Sequence, residues 1–273
     1  MCFSNSIVST LLNIPIVKNI LSQKSDQIPT YSRENEIVTE LILLNNLSNL
    51  SYASTEQLRS SVSSMCEESG QIRRTFSDNL QHDAGEFLVS LFEHIFKDSI
   101  MDEEIFGGLY QEKLVCKCGN IKHLPVQKLS EILMIQLHGH SIESCLMDFL
   151  SDEDVKNVCT DCGDDKSVKR IEILTEPTTL MIQLKRYEYH VNKRKALKRH
   201  DEIECPTSLT MPSGSSYTLS SVINHIGSTP TDGHYNVLIY DKSSDSHVLL
   251  DDLNVSFDVE NTLCYIVSYT KDF

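Results

Sequence analysis

The sequence has no apolar run approaching the roughly eighteen residues that a membrane-spanning helix requires. Its first residues include neither a basic region nor a small-residue cleavage site, and Asn13 and Pro15 interrupt the apolar stretch there. It also has no internal repeat and no long low-complexity linker. We therefore expect neither a membrane protein nor a signal peptide. A chain of 273 residues with 40% hydrophobic and 23% charged residues is typical of a globular protein of one large or two ordinary domains.

Positive charge is scarce, since 24 lysines and arginines face 39 aspartates and glutamates, giving a net charge of −15. A nucleic-acid partner requires a basic footprint, so none is expected. The acidic balance is compatible with a basic protein partner or simply with a solvated surface.

The chain has nine cysteines without a secretory signal, which indicates a reducing compartment, cytoplasmic or nuclear. In such a compartment cysteines are core residues, metal ligands or reactive thiols more often than disulfides.

The order of helical and strand patterns predicts an α+β fold. Apolar residues recur at helical spacing over 5–13, 34–47 and 81–96. After Phe106 the helical pattern gives way to short strand-like runs separated by Gly, Pro, Ser and Asp. These runs are LYQEKLVC, EILMIQL, TLMIQLKRYEYH, YNVLIY, HVLLDD and TLCYIVSY. The boundary between the helical part and the strand-rich part, here called the seam, falls near residues 101–106.

Two cysteine pairs, each followed by glycine, form a candidate metal site. Cys159 and Cys162 have the spacing of a zinc knuckle, whereas Cys116 and Cys118 are one residue closer than that pattern. Residues i and i+2 of a strand share a face, so the sulfurs of the first pair could still converge. Four thiolates would make a structural zinc site that joins two hairpin tips, and the alternative is four partly buried free cysteines.

A hairpin near the C-terminus predicts a histidine–carboxylate pair. YNVLIY and HVLLD read as two antiparallel strands around the polar loop DKSSDS. If Tyr240 pairs with His247, Asp251 becomes a diagonal neighbour of His234 on the same face, within reach of a hydrogen bond. A slip of one residue would offer Asp252 instead, so both aspartates stay open at this point.

Cys2 precedes a predicted helix by a few residues. The positive end of a helix dipole favours a thiolate, and an oriented imidazole can take a proton from a thiol. The alternative for Cys2 taken singly is an inert cysteine in a mobile end.

Four separated segments resemble the ubiquitin-specific protease family, the papain-like cysteine deubiquitinases. CFSNSIVSTLLNIP is similar to that family's cysteine box, and QHDAGEFL at 81–88 to its QxDAxEFL helix. The paired cysteines, with FGG at 106–108 ahead of them, resemble its zinc-bearing fingers. LKRY at 184–187 and the segment 225–252, from HIGSTPTDGHY to DD, resemble its palm and histidine box.

The resemblance implies a role for each matching residue. Cys2 would be the nucleophile, His234 the general base, and Asp251 the residue that orients the imidazole. The residues implied on the substrate side are Gln81, Asp83, Glu86 and Asp252. For the three on the helix, the alternative is an ordinary helix surface with capping.

The implied architecture is a hand with a helical thumb over 1–104, zinc-binding fingers over 105–172 and a β-rich palm over 173–273. The implied reaction cleaves the (iso)peptide bond after the C-terminal glycine of ubiquitin, with ubiquitin or a ubiquitinated protein as partner. The implied Zn²⁺ is structural, and catalysis needs no cofactor. Specificity for a ubiquitin-like modifier stays open.

The sequence departs from the family before the cysteine. Family members have a Gly- and Asn-containing segment there whose asparagine helps form the oxyanion hole, and here only Met1 precedes Cys2. Loss of one oxyanion donor costs about 10²–10³ in rate in other enzymes. We expect either a piece of a longer gene product or a short protein with weak or no activity. The rivals to an enzyme are thus a ubiquitin-binding pseudoenzyme and, less consistent with the motifs, a zinc-dependent interaction module.

Two further features are expected to be structural. KRKALKR at 193–199 could be a nuclear localisation patch, but a solvated basic turn following the LKR strand is favoured. His225 is expected to support the histidine box without taking part in the reaction.

Overall fold

The computed structural model describes residues 2–25, 36–46, 52–68, 76–78, 80–97, 102–190, 195–229, 232–252, 254–257 and 263–272. The α-helices in these residues are α1 (Cys2–Asn13), α2 (Pro15–Ser25), α3 (Glu36–Asn46), α4 (Tyr52–Glu68), α5 (Ala84–Lys97) and α6 (Ile142–Phe149). The strands are β1 (Gly108–Cys116), β2 (Ile121–Leu129), β3 (Leu133–Gln136), β4 (Glu153–Lys156), β5 (Lys166–Thr175), β6 (Thr179–Lys185), β7 (Tyr187–His190), β8 (Lys195–Lys198), β9 (Ser208–Thr210), β10 (Ser216–Thr229), β11 (Asp232–Asp241), β12 (Ser246–Asp251), β13 (Asn254–Phe257) and β14 (Cys264–Lys271).

Helix starts differ from the sequence expectation for local reasons. The helix expected over 5–13 begins at Cys2, so the thiol lies in its first turn and not before it. The helix expected over 81–96 begins at Ala84, because the Asp83 carboxylate accepts the Glu86 backbone N–H at 3.0 Å and caps it. Pro15 opens α2, where its missing N–H costs nothing. The sequence patterns did not predict α2, α4 or α6, and residues 34–35 and 47 of the helix predicted over 34–47 lie outside the described residues.

The strands form two main sheets. A four-stranded antiparallel sheet has the order β2-β1-β5-β4, and β7 pairs with β8 in a separate hairpin. An eight-stranded sheet has the order β13-β12-β11-β10-β14-β6-β3, with β9 also paired to β10. Within it only the β3–β6 pair is parallel among the described strands. The six predicted runs all contain strands, and Arg186 divides the run 179–190 into β6 and β7.

The eight-stranded sheet is buried on both faces. Successive residues of its central strands enter two different apolar clusters, one shared with helices α1 to α5 and the other packed under α6. Pairs that divide in this way are Met181 and Ile182, Val222 and Ile223, Val237 and Leu238, and Ile266 and Val267. Side chains alternate between the two faces of a sheet along each strand. A strand in a sheet that is buried on both faces therefore has an unbroken run of apolar residues.

This arrangement confirms a fold of mixed helix and sheet, with helices mainly before the seam and strands mainly after it. No helix within the described ranges combines the length and apolarity needed to cross a membrane. The apolar cluster on the helix side of the sheet includes Cys2 from α1 and Tyr235 from β11. An early and a late segment of the chain therefore meet in this cluster.

Candidate active site

Cys2 lies at the start of α1, buried against the eight-stranded sheet, with 4% of its surface exposed. Its sulfur accepts a hydrogen bond from the backbone N–H of Tyr235 at 3.3 Å. Its thiol donates to Oε1 of Gln81 at 3.4 Å. The cysteine is therefore held between β11 and the segment before α5, and the alternative of a loose terminal cysteine is wrong.

Phe3 explains why the first turn of α1 sits where it does. Its ring packs edge-on against Phe87 of α5 and His82, with centroids 5.5 Å away in each case, and beside Phe76 at 6.2 Å. The side chain has no exposed surface. Such aromatic contacts, together with full burial, fix the helix rotation that turns Cys2 towards the sheet.

His234 lies two residues into the described part of β11, and its Nε2 contacts Oδ1 of Asp251 at the end of β12. Tyr240 pairs with His247 in the β11–β12 ladder, as the sequence analysis assumed. The register therefore selects Asp251 over Asp252 as the partner of the imidazole. Both side chains of the pair are about one-third exposed, so it faces a cleft open to solvent.

Asp252 has a different partner, which sequence reasoning missed. Its Oδ1 accepts from Nδ2 of Asn5 in α1 at 3.0 Å, and Oδ1 of Asn5 accepts from the Thr55 hydroxyl at 2.6 Å. Asp252 has a left-handed backbone with φ 50°, which is strained for a residue with a side chain. The Asn5 contact thus ties the turn after Asp251 to the helix that carries Cys2.

The three residues predicted in the QHDAGEFL segment, Gln81, Asp83 and Glu86, have different surroundings. Gln81 contacts the sulfur, as described above. Both carboxylate oxygens of Asp83 are engaged, one capping α5 and the other accepting from the hydroxyls of Tyr265 at 2.5 Å and Tyr235 at 3.5 Å. The Glu86 side chain is exposed on the first turn of α5.

Tyr265 and Tyr235 form the floor beside the site. Burial, followed by the nearby Asp83 carboxylate, raises the pKa of both phenols. Both therefore stay protonated and donate to Asp83 across the physiological pH range. Gln183 extends this network by donating to the Tyr265 oxygen at 2.8 Å.

The four predicted metal-ligating cysteines come together at two hairpin tips. Their sulfurs lie within 4.8 Å of one another, with 3.5 Å between Cys116 and Cys162 and 3.6 Å between Cys118 and Cys159. A tetrahedral zinc ion with Zn–S bonds of about 2.3 Å separates its sulfurs by about 3.8 Å, so the residues fit the ion. The strand argument for the first pair is wrong, because Cys116 ends β1 and Cys118 lies in the turn that follows.

The thiols of this cluster differ in their pKa values, because burial and hydrogen bonds with other sulfurs raise the pKa of Cys116 and of Cys118. The backbone N–H groups of Cys162 and Asp161 lower the pKa of the Cys159 thiol to about 7. A metal ligand must be deprotonated, so Cys159 is the thiol of the set that loses its proton most readily to a bound cation. His234, Asp251 and Asp252 also place ligand atoms within 4.8 Å of one another, but Asp252 already accepts from Asn5.

A thiol in the first turn of a helix, in contact with the residue after a histidine that itself contacts a carboxylate, is consistent with the arrangement that papain-like thiol proteases use. The sequence of this chain matches the ubiquitin carboxyl-terminal hydrolase family over residues 1–269. The chain belongs to the ubiquitin carboxyl-terminal hydrolase family.

Individual relatives agree with this membership. The chain is 23% identical over 287 residues to the probable ubiquitin carboxyl-terminal hydrolase 8 of Schizosaccharomyces pombe, covering 98% of this chain and 62% of the relative. It is 26% identical over 310 residues to ubiquitin carboxyl-terminal hydrolase 36 of Drosophila grimshawi, covering 99% of this chain and 24% of the relative. The chain thus spans less than two thirds of the length of these curated relatives.

The fold matches solved structures over its whole length. The SAGA Ubp8/Sgf11/Sus1/Sgf73 DUB module bound to ubiquitin aldehyde includes a chain that superposes with a TM-score of 0.82 at 21% identity, covering 100% of this chain and 68% of that one. A second structure of the SAGA DUB module, bound to monoubiquitin, gives a TM-score of 0.83 at 20% identity, with 100% and 67% covered. These similarities confirm the predicted fold class.

Proposed function

We propose that this chain is a cysteine-dependent deubiquitinase that hydrolyses the (iso)peptide bond after the C-terminal glycine of ubiquitin. The observation that carries the proposal is the contact of the Cys2 sulfur with the N–H of Tyr235, the residue after His234, while His234 contacts Asp251. Family membership supplies the substrate class.

The reaction follows from the chemistry of these side chains. His234 takes the proton of the Cys2 thiol, and the sulfur attacks the carbonyl carbon of the C-terminal glycine to give a tetrahedral oxyanion. The oxyanion collapses, the C–N bond breaks, and His234 gives its proton to the departing amine. Water, deprotonated by His234, then attacks the thioester and releases the ubiquitin carboxylate and the thiol. Asp251 orients the imidazole and stabilises its charged form.

Gln81 is placed to act on the same sulfur. Its amide accepts from the thiol at 3.4 Å in the resting state. Rotation of the amide by half a turn would present its N–H groups instead, which a thiolate or a developing oxyanion requires. We propose that Gln81 lines the reacting end of the substrate cleft.

Glu86 and Asp83 support binding of a basic tail in different ways. Glu86 is exposed and can meet a cation directly, whereas the oxygens of Asp83 are used by α5 and the tyrosines. We propose Glu86 as a direct contact of the ubiquitin tail and Asp83 as its support, with Asp252 at the edge of the same cleft. The solved modules that share this fold include one bound to monoubiquitin, which supports a ubiquitin partner.

We further propose that Cys116, Cys118, Cys159 and Cys162 hold a structural Zn²⁺. The ion would join the tips of the β1–β2 and β4–β5 hairpins and take no part in the reaction. The sequence-based division into thumb, fingers and palm, at 1–104, 105–172 and 173–273, is proposed on the same grounds. A cytoplasmic or nuclear location stays a proposal based on cysteine usage.

The decisive experiment uses ubiquitin with an electrophile at its C-terminus. Wild-type protein should gain the mass of one ubiquitin by intact mass spectrometry, and Cys2→Ser should not. The matched control is Cys205→Ser, which changes a half-buried thiol outside the site and should keep the adduct. Folded wild type without an adduct would refute the proposed activity and leave only ubiquitin binding. The same electrophile on ubiquitin-like modifiers tests which modifier is preferred.

A further inference from the structure

The bend of β10 at residues 225–227 is held by a buried lysine. Lys198, at the end of β8, has 8% of its surface exposed. Its ammonium donates to the backbone carbonyls of His225 at 2.6 Å and Gly227 at 3.0 Å, and it lies 2.8 Å from Nδ1 of His225. An ammonium has three N–H donors, and these three contacts engage all of them.

The strand pairing explains why these carbonyls need an outside donor. β14 begins at Cys264, and the last residue of β10 with which it pairs is Asn224. The N–H of His225 still donates to the carbonyl of Leu263, at 3.3 Å, but the β10–β14 ladder has ended there. The carbonyls of His225 and Gly227 therefore extend past the ladder, and Lys198 satisfies them.

The two carbonyls flank the residue opposite His234. Ile226 lies between them and is the cross-strand partner of His234 in the β10–β11 register. The register shifts immediately afterwards, between Ile226 and Thr229, so pairing alone does not hold the bend. The position of His234 at this end of the hairpin thus depends on what holds the carbonyls of its partner strand.

The His225 ring makes a second connection. A Cβ added to Gly233 would lie 2.5 Å from Nε2 of His225, so the imidazole packs directly on that glycine. The same ring stacks on Tyr235 with centroids 4.5 Å apart. His225 thus touches the residues on both sides of His234, and the Tyr187 hydroxyl and Lys198 hold its Nδ1.

We propose that Lys198 is a positioning residue for the reaction. Its ammonium fixes the bend of β10 and the His225 ring, and through both it holds His234 in place beside Cys2. The inference rests on the proposed function, since it assigns a role within the same site. The contacts of Lys198 are with His225 and Gly227, so it reaches His234 only through β10 and the His225 ring. It therefore acts on the rate of the chemical step and not on ubiquitin affinity.

The test uses variants that replace the ammonium group of Lys198 and keep most of its aliphatic side chain. Lys198→Met removes the charge, Lys198→Gln keeps an N–H donor group, and Lys185→Met is the matched control because Lys185 is an exposed lysine of β6. With a fluorogenic ubiquitin amide, Lys198→Met should lower kcat about 10- to 100-fold and leave KM within about two-fold, because a small misplacement of a catalytic group acts on the transition state. The kcat of Lys198→Gln should lie between that of Lys198→Met and that of wild type, and the kcat of Lys185→Met should equal that of wild type.

A readout without ubiquitin separates this proposal from the proposed function. Alkylation of Cys2 by iodoacetamide, followed by peptide mass spectrometry across pH, reports how His234 assists the thiol. The pH profile should shift in Lys198→Met and stay unchanged in Lys185→Met. Folded wild type that fails to cleave ubiquitin amides refutes the proposed function alone, and the alkylation profile still decides the role of Lys198.

Folded Lys198→Met with the kcat and alkylation profile of wild type would overturn the proposal. A loss of kcat equal in Met and Gln, with the alkylation profile of wild type, would mark Lys198 as merely structural and would also overturn it. If Lys198→Met does not fold, Lys198→Ala is assayed with and without added ethylammonium, which can enter the space the stem vacates. An increase in kcat on adding ethylammonium supports the proposal, and no increase overturns it.

Discussion

The backbone N–H of Tyr235 donates to the sulfur of Cys2 at 3.3 Å, although the two residues are 233 positions apart in the chain. This contact brings the start of α1 against β11 at the residue that follows His234. Because a backbone donor is fixed by the β-ladder, the sulfur has a defined position before any substrate binds. Pre-positioned reacting groups of this kind lower the entropic cost of reaching the transition state.

The two adjacent aspartates should differ in their effect on activity. Asp251 contacts the imidazole, whereas Asp252 accepts from Asn5. Asp251→Ala should lower kcat about 100-fold or more, because the imidazole loses the group that orients it. Asp252→Ala is the matched control and should cost less, since His234 keeps its partner. Hydrolysis of a fluorogenic ubiquitin amide measures both, and a larger loss in Asp252→Ala would mean that the roles are exchanged.

Gly233 should tolerate no side chain. It has φ 154°, and an added Cβ would lie 2.5 Å from both the His225 ring and the carbonyl oxygen of Ile226. Gly233→Ala should therefore lower the free energy of unfolding by about 2–5 kcal/mol, the sum of backbone strain and overpacking. It should also reduce kcat, because the next residue is His234.

Gly214→Ala is the control for backbone strain alone. Gly214 has φ 92°, and an added Cβ would meet no atom within 4 Å. The expected loss is about 1–2 kcal/mol with unchanged kcat. Urea unfolding and steady-state kinetics measure both variants, and equal losses would show that the contact with His225 is not important.

Stability should fall between neutral and mildly acidic pH because of His225. Burial, followed by the charge of Lys198 and Arg186, lowers the pKa of His225 to about 4 from the ordinary 6.5. Above pH 6.5 the ring is neutral in both folded and unfolded protein, and below this the unfolded chain takes up a proton that the folded protein refuses until about pH 4. The free energy of unfolding should thus lose about 2 kcal/mol from this residue between pH 7.5 and pH 5.

The measurement is urea unfolding of wild type and His225→Gln at the two pH values. The substitution costs packing at every pH, so only the difference between the pH values is informative. The variant should lose less stability on acidification by about that amount. An identical loss in both proteins would contradict the assignment of this pH dependence to His225.

Metal removal should loosen the four-stranded sheet selectively. Purified protein should hold about one zinc ion per chain, and a chelator or Cys159→Ser should remove it, while Cys205→Ser should keep it. Hydrogen exchange should then increase in β1, β2, β4 and β5, because the ion joins their tips, and stay low in β10 and β14. Metal analysis well below one ion per wild-type chain, or exchange unaffected by chelation, would refute the structural zinc site.

The sequence was informative where local patterns and a rigid register decide the outcome. The strand runs after Phe106 and the opposition of Tyr240 and His247 could be predicted because side-chain alternation and a six-residue loop fix a hairpin. From that register a pair of His234 with Asp251 or Asp252 followed by geometry, and only the family resemblance pointed to Asp251. The cysteine pairs were found by spacing alone, although the turn that positions Cys118 was not.

Contacts between remote segments could not be predicted in the same way. Nothing local in KRKALKR distinguishes Lys198, which is buried on two carbonyls, from the solvated turn that the sequence analysis favoured. The role of Asn5 with Asp252 also depends on how α1 docks on the sheet. A useful signal would have been the late start of β14, which leaves carbonyls of β10 without a ladder partner, but strand ends are the least certain part of any sequence-based assignment.

The separation of Cys2 from its partners along the chain has a consequence for biosynthesis. The ribosome makes the sulfur before the imidazole and its aspartate, so an emerging polypeptide has the thiol before it has the proposed base. The proposed catalytic set can therefore assemble only after the β11–β12 hairpin has left the exit tunnel and docked on the helices. The long-range topology thus ties the proposed activity to completion of the fold.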